Sequence, residues 1–259
     1  MFNAGFIGAG NMGGALLHAV AKTGASVGVF DTDPAKVAGA QKEGAAFADA
    51  KTLAAESELL FLAVKPNVIL GVCREIAPAL SAQTVLVTMA AGVALSDVAA
   101  AAGTRKVIRI MPNTPVAVGA GLILYCSADA VSKEEEARFS EILRYSGKLD
   151  PIDEKNIDAA AALSGCGPAF VYPFAEALAD GAVRCGVPRA KAMEYAAATI
   201  LGSAEMLLKS GRHPGELKDA VCSPGGTTIE GVLTLERAGF RAAAADAVIA
   251  AYEKTKKLK

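Results

Sequence analysis

Two short stretches hold residues whose types and spacing suit chemistry. In the first, GFIGAGNMGG, Gly8, Gly10 and Gly13 stand in the spacing G-x-G-x-x-G, after an apolar run and before the helical pattern MGGALLHAVAKTG. That spacing lets the first glycine turn tightly, the second bring backbone close to a pyrophosphate, and the third pack helix against strand. Free N–H groups of the helix start, at Asn11 and Met12, then face the anion. A second apolar run, VGVF, leads into Asp31, 18 residues beyond Gly13, where a carboxylate can accept ribose hydroxyls. Such a carboxylate repels a 2′-phosphate, and no Arg or Lys lies between it and Lys36, so the local chemistry leans modestly to NAD(H) over NADP(H). Asp31 and Asp33 also read simply as turn and N-cap residues before the helix PAKVAGAQKEG.

The second stretch is VCSPGGTTIEGVL, residues 221 to 233. Ser223 and Pro224 break the preceding helix, and Gly225 and Gly226 permit a tight backbone. Thr227, Thr228 and Glu230 open the next helix with capping hydroxyls and an early acid. A helix N-terminus with free N–H donors suits a small carboxylate. Read alone, the segment is also an ordinary cap joining two packed helices.

These residues need elements to hold them. Before residue 155, apolar runs alternate with helical patterns: GFIG, VGVF, LLFLAV, TVLVTM, KVIRIM and GLILYC. Short runs apolar on both faces and separated by helices predict a parallel sheet covered on both sides, a doubly wound Rossmann-like α/β domain over 1–155. From 156 to 259 strand-like runs disappear, and alanine-rich stretches at 167–185 and 189–209 predict an all-helical domain. Open α/β sheets bind ligands beyond the carboxyl ends of their strands. AVKPN therefore adds Ala63, Lys65 and Pro66 as cofactor-binding candidates, and RIMPNTP adds Asn113, while MAAGV follows the strand between them.

The rest of the composition narrows the function. A net charge of −1 gives no footprint for nucleic acid or an anionic membrane. The basic run KTKKLK at 254–259 reads as the solvated end of a last helix. Five cysteines, scattered and without C-x-x-C spacing, predict neither a disulfide framework nor a zinc site and suit a reducing cytoplasm. With only His18 and His213, no histidine-based metal site is expected. No signal peptide or membrane span is expected either, because charges such as Glu176 and Asp180 interrupt the alanine-rich segments.

GFIGAGNMGGAL, LAVKPN, RIMPNTPVAVG, LSGCGPAFVYPFAEALADGAVRCG and KDAVCSPGGTTIEGVL, in this order, resemble pyrroline-5-carboxylate reductase over nearly the whole chain. SPGGTT is the most specific of these segments and the glycine fingerprint the least. The resemblance implies a helical dimerisation domain that interlocks two subunits, active sites at the dimer interface and often a ring of dimers. It implies NAD(P)H-dependent reduction of 1-pyrroline-5-carboxylate to L-proline, with Ser223, Gly226, Thr227 and Thr228 lining the substrate pocket. Thr228 would donate a hydrogen bond to the imine nitrogen, directly or through a water; as a hydroxyl is a poor acid, a protonated iminium or a water would bring the proton.

Two positions depart from the family pattern. Ala220 stands where many members have Asn, and Cys166 replaces the usual serine. Cys166 and Cys222 are expected as small buried packing residues, since no histidine neighbours either as an activating base. Three alternatives share features with this reading. A β-hydroxyacid dehydrogenase would need a catalytic lysine, for which Lys191, Lys209 and Lys218 are available without a convincing motif. A non-enzymatic nucleotide sensor would bind without turnover, and a purely structural helical dimer would not need the fingerprint.

Overall fold

The computed structural model describes residues 1–257. The chain divides into two units, Met1–Cys166 with the segment from Ala251 onward, and Gly167–Ala250. The first unit is built on strands β1 (Phe2–Ile7), β2 (Val27–Phe30), β3 (Ala46–Phe47), β4 (Ser57–Leu62), β5 (Val85–Thr88), β6 (Val107–Met111), β7 (Gly121–Ser127) and β8 (Gly147–Pro151). Between and after them run helices α1 (Asn11–Ala21), α2 (Pro34–Lys42), α3 (Ala50–Glu56), α4 (Pro66–Ile76), α5 (Leu95–Ala102), α6 (Lys133–Ile142) and α7 (Glu154–Ser164).

The strands form one sheet in the order β3-β2-β1-β4-β5-β6-β7-β8. Every neighbouring pair is parallel except β6 with β7. An all-parallel sheet was the expectation; β7 turns back because only residues 112–120 join it to β6, with a 3-10 turn (Thr114–Val118) and no crossover helix. A parallel return needs a crossover of a dozen residues or more. Alternation along the strands explains the two covered faces. In β4, Leu59 and Phe61 join a core with Phe6, Leu16, Val29 and Ile108, while Leu60 and Leu62 join another with Leu53, Ile69, Ile76 and Val98. Phe6 and Phe61 stack across β1 and β4 at 4.6 Å between ring centroids.

The edge strands β3 and β8 escaped the sequence reading. β3 has only two residues, both exposed, and β8 reads GKLDP, too polar and too short to stand out. Helix α7 packs with the sheet through Ile157, so the first unit runs past the composition shift at 155 to Cys166.

In the second unit the helices are α8 (Gly167–Arg184), α9 (Arg189–Ser210), α10 (Pro214–Ala220), α11 (Thr227–Arg237) and α12 (Phe240–Lys256), the last ending among the residues grouped with the first unit. Helices α8 and α9 close on small side chains, Ala179, Ala192 and Ala196, with Val183 and Val187 beside them. Helices α11 and α12 bury no residue. Lys254 and Lys256 lie in the last turn of α12, as expected for KTKKLK, whose final residues Leu258 and Lys259 lie outside the described residues.

Candidate active site

The glycine loop between β1 and α1 has the division of labour that its spacing predicts. Gly8 adopts φ +101°, a left-handed value that a side chain would strain, and its N–H donates to Phe30 O at 2.8 Å. A Cβ on Gly13 would sit 2.4 Å from Gly8 O and 2.8 Å from the Ala63 Cβ, so only glycine lets α1 approach this closely. Around Gly10 a Cβ would meet nothing within 4 Å. The loop is therefore tight beneath and open above. Gly10 is also the N-cap of α1 and spends no side chain on capping, which leaves the helix's first amides turned to the open side. These features fit the pyrophosphate of a dinucleotide.

Asp31, at the end of β2, is held more closely than a surface reader of sugar hydroxyls. Its side chain is only 9% exposed. Oδ2 accepts the Ala9 N–H at 2.8 Å and Oδ1 accepts the Asp33 N–H at 2.9 Å. Asp33 itself caps α2 through the Ala35 N–H, the N-cap role expected of it. Lys36 Nζ lies 3.8 Å from both Asp31 Oδ1 and Asp33 Oδ2.

Further along the sheet edge, Met12, Ala63, Val64, Lys65, Met89, Met111 and Pro112 line a cavity of about 330 Å³. It joins the carboxyl ends of β4, β5 and β6 to the first turn of α1, the place where open sheets take ligands. Ala63 and Lys65 were predicted here. Met89 and Met111 lie within the strand-end stretches MAAGV and RIMPNTP, and the structure adds them individually to this wall. Lys65 and Pro66 begin α4 and are exposed.

Asn113 is buried, and its amide is committed to the protein: Nδ2 donates to Ser164 O at 3.0 Å and Oδ1 accepts the Leu122 N–H at 2.9 Å. The turn after β6 is thereby fastened to the last residue of α7. The first turn of α7 is fastened as well, by Arg109 of β6, which is 3% exposed. Its guanidinium pairs with Asp158 and with Glu154 Oε1 at 3.4 Å, while the same Glu154 oxygen accepts the Leu95 N–H at 2.7 Å. A single arginine inside the apolar run VIRIM was the sequence signal for this network.

A larger cavity of about 890 Å³ lies among Tyr125–Val131 and Pro151–Glu154. Ser127 pairs with Ile108 near the start of β6, which places that cavity at the end of the strands opposite the glycine loop.

In the second unit, Ser223, Gly226, Thr227 and Thr228 come together in the turn before α11. Gly225 takes φ +66°, and a Cβ on Gly226 would stand 2.4 Å from Ser223 Oγ. Two details differ from expectation. The N-cap is Gly226, which has no side chain to cap with, and Thr227 and Thr228 follow it as the first two residues of the helix. The preceding helix ends already at Ala220, before Ser223. The turn is largely exposed in the single chain, as is Ala220.

Cys166 is exposed and Cys222 half-buried, so neither is the buried packing residue expected of it. Burial instead marks Cys73 and Cys126, where it pushes each thiol up to about 11 and keeps it protonated at neutral pH. His18 pairs with Glu43 at 2.7 Å, and His213 caps α10 by accepting the Gly215 N–H. Among the described residues no cluster of three metal-ligating side chains occurs, and no helix is long and apolar enough to cross a membrane.

Fold and loop together define a dinucleotide-dependent oxidoreductase with a doubly wound sheet, and residues 3–92 match the sequence model described as NADP oxidoreductase, coenzyme F420-dependent. Residues 154–258 match that of pyrroline-5-carboxylate reductase dimerisation. The pyrroline-5-carboxylate reductase of Escherichia coli is 43% identical, over 98% of this chain and 97% of that protein. That of Pisum sativum is 37% identical over 99% and 96%. The crystal structure of the Plasmodium falciparum pyrroline carboxylate reductase with NADP bound superposes with a TM-score of 0.89 at 33% identity, covering 99% of each chain. The chain belongs to the pyrroline-5-carboxylate reductase family.

Proposed function

We propose that this protein reduces the C=N bond of 1-pyrroline-5-carboxylate with NAD(P)H, giving L-proline, the last step of proline biosynthesis. The observation that carries the reading is full-length kinship to reductases of that name in a chain whose glycine loop keeps an open cradle for the cofactor. When bound, the dinucleotide supplies a hydride. Gly8, Gly10, Asn11, Met12 and Gly13 would hold its pyrophosphate, and Asp31 its ribose. Ala63, Lys65, Met89 and Met111 would wall in the nicotinamide and keep water from the reacting carbon. With its side-chain amide committed elsewhere, Asn113 would contribute through the turn it fixes.

Ser223, Gly226, Thr227 and Thr228 would form the substrate pocket, the start of α11, which no side chain caps, meeting the carboxylate and the Thr228 hydroxyl the imine nitrogen. Delivery of that hydride to the imine carbon would leave the π-electron pair of C=N on nitrogen. Thr228 orients that nitrogen and stabilises its changing charge; the proton comes from an iminium already protonated or from a water.

NADH is the preferred donor in this reading. Asp31 disfavours a 2′-phosphate, and Lys36 is already engaged by two carboxylates. Two copies would interlock through the helical domain, with active sites at their interface and dimers gathered into a ring. The exposed apolar side chains of α8 and α9, Tyr172, Leu201 and Leu208 among them, support that assembly. The unpaired cysteines are in keeping with a cytoplasmic location.

The test follows loss of reduced-nicotinamide absorbance with NADH and separately NADPH, with and without 1-pyrroline-5-carboxylate. Oxidation that depends on the substrate and runs faster with NADH is expected. A folded protein that bound a dinucleotide and oxidised neither would overturn the reading in favour of a nucleotide sensor.

A further inference from the structure

We infer that Asp31 is a positioning residue for the pyrophosphate loop, and that its carboxylate couples the shape of that loop to recognition of the ribose. The inference rests on the reductase reading above for the identity of the ligand, and on geometry for everything else.

Asp31 reaches across from the end of β2 to the Ala9 N–H, the first amide after the left-handed turn at Gly8. Four backbone anchors converge there. Gly8 N–H is held by Phe30 O, Ala63 N–H by Ile7 O, Ala9 N–H by Asp31 Oδ2, and Asp33 N–H by Asp31 Oδ1. The first two are main-chain bonds that any sequence could make. The last two exist only because residue 31 presents two acceptor oxygens on one planar group. A charge-assisted bond of 2.8 Å from a nearly buried carboxylate is among the stronger single contacts a loop can have.

Two consequences follow for the cofactor. Ala9 N–H is not available to a pyrophosphate, which leaves that task to the amides from Gly10 onward, where the space is open. Each carboxylate oxygen has a second lone pair, so ribose hydroxyls meet a group whose position the loop has already fixed. Asp31 then raises affinity for any dinucleotide through the loop, and separately disfavours a 2′-phosphate through its charge.

The variant that separates these roles is Asp31→Asn. It removes the charge and keeps the shape, but offers one acceptor and one NH₂ where two amide donors need acceptors. If Asp31 only discriminates between cofactors, Asp31→Asn weakens NADH and strengthens NADPH. If it also holds the loop, affinity for NADH falls on the order of tenfold or more, and the relief of charge repulsion does not bring NADPH above its wild-type affinity, because the loss of the loop outweighs it. Dissociation constants of both dinucleotides, measured by fluorescence titration without substrate, give this readout.

A second readout needs no ligand. Backbone hydrogen exchange of the Ala9 amide is expected to be slow in the wild type and faster by tenfold or more in Asp31→Asn, while the amides of Phe6 and Leu16 in the sheet and α1 keep their protection. Unchanged Ala9 exchange, or a gain in NADPH affinity at the expense of NADH, would overturn the proposal. A wild-type protein that bound neither dinucleotide would contradict the reductase reading, and the Ala9 amide would still decide whether Asp31 holds the loop.

Discussion

At the level of single residues, the loop glycines allow folding and binding to be tested apart. Gly10→Ala adds a methyl where nothing lies within 4 Å, at a backbone conformation (φ −68°, ψ −169°) that alanine adopts freely. Its melting temperature is expected to match the wild type, while NADH affinity falls by about tenfold or more as the methyl fills the space of the pyrophosphate. Gly13→Ala collides with Gly8 O and the Ala63 Cβ and is expected to cost about 1–3 kcal/mol of stability in denaturant titrations. The reverse pattern would show that the open side of the loop is not where the cofactor lies. Thr228→Ala is expected to lower kcat by about tenfold to a hundredfold, with dinucleotide affinity unchanged and activity largely restored in Thr228→Ser; an alanine variant with full turnover would remove Thr228 from the mechanism. The left-handed turn at Gly8 and the close packing at Gly13 were legible because each is a property of a backbone position, fixed by spacing. The hold of Asp31 on Ala9 was not, because it joins residues 22 apart through a side-chain rotamer that no spacing rule encodes.

At the scale of elements, α7 is tied to β6 at both ends, by Arg109 near its start and Asn113 at its finish. Replacing Asn113 with alanine takes this partner from the part-buried Ser164 carbonyl and Leu122 N–H, at about 0.5–1.5 kcal/mol each. Replacing Arg109 with methionine removes the buried cation that Asp158 and Glu154 share; with the Glu154 side chain a third exposed to solvent, the expected loss is about 1–3 kcal/mol. Urea titrations of the two variants should show losses of that size; a loss below about 0.5 kcal/mol in both would mean that α7 is held by its apolar contacts alone. The central strands could be read directly, since runs such as LLFLAV are apolar on both faces. The edges could not. β8 is recruited by pairing with β7 from Gly121 to Tyr125, a tertiary contact that gives a polar segment its strand conformation.

At the scale of the molecule, the helical unit has too little interior of its own. Its buried residues are alanines of α8 and α9, while Tyr172, Tyr195, Leu201, Met206 and Leu208 stand more than half exposed. Apolar side chains at that density need a cover, and a second copy offers the same chemistry in return. Light scattering after gel filtration is expected to give a mass of at least two chains. Introducing charge with Leu201→Glu and Leu208→Glu together is expected to yield monomers, with proline formation falling while the glycine loop still binds NADH. A wild-type monomer with full activity would refute the shared interface. The helices themselves were visible in the alanine-rich pattern; how they pair between chains was not, because small residues at helical spacing mark a close approach without naming the partner.

Isotope transfer shows whether hydride passes from the dinucleotide to the imine carbon of 1-pyrroline-5-carboxylate. The enzyme is given 1-pyrroline-5-carboxylate and NADH carrying deuterium at both positions of nicotinamide C4, and the product is analysed by mass spectrometry and NMR. L-Proline with a single deuterium on the ring carbon bonded to nitrogen and remote from the carboxylate is expected. Unlabelled proline, label at another carbon, or no proline from a protein that binds both reactants would contradict it.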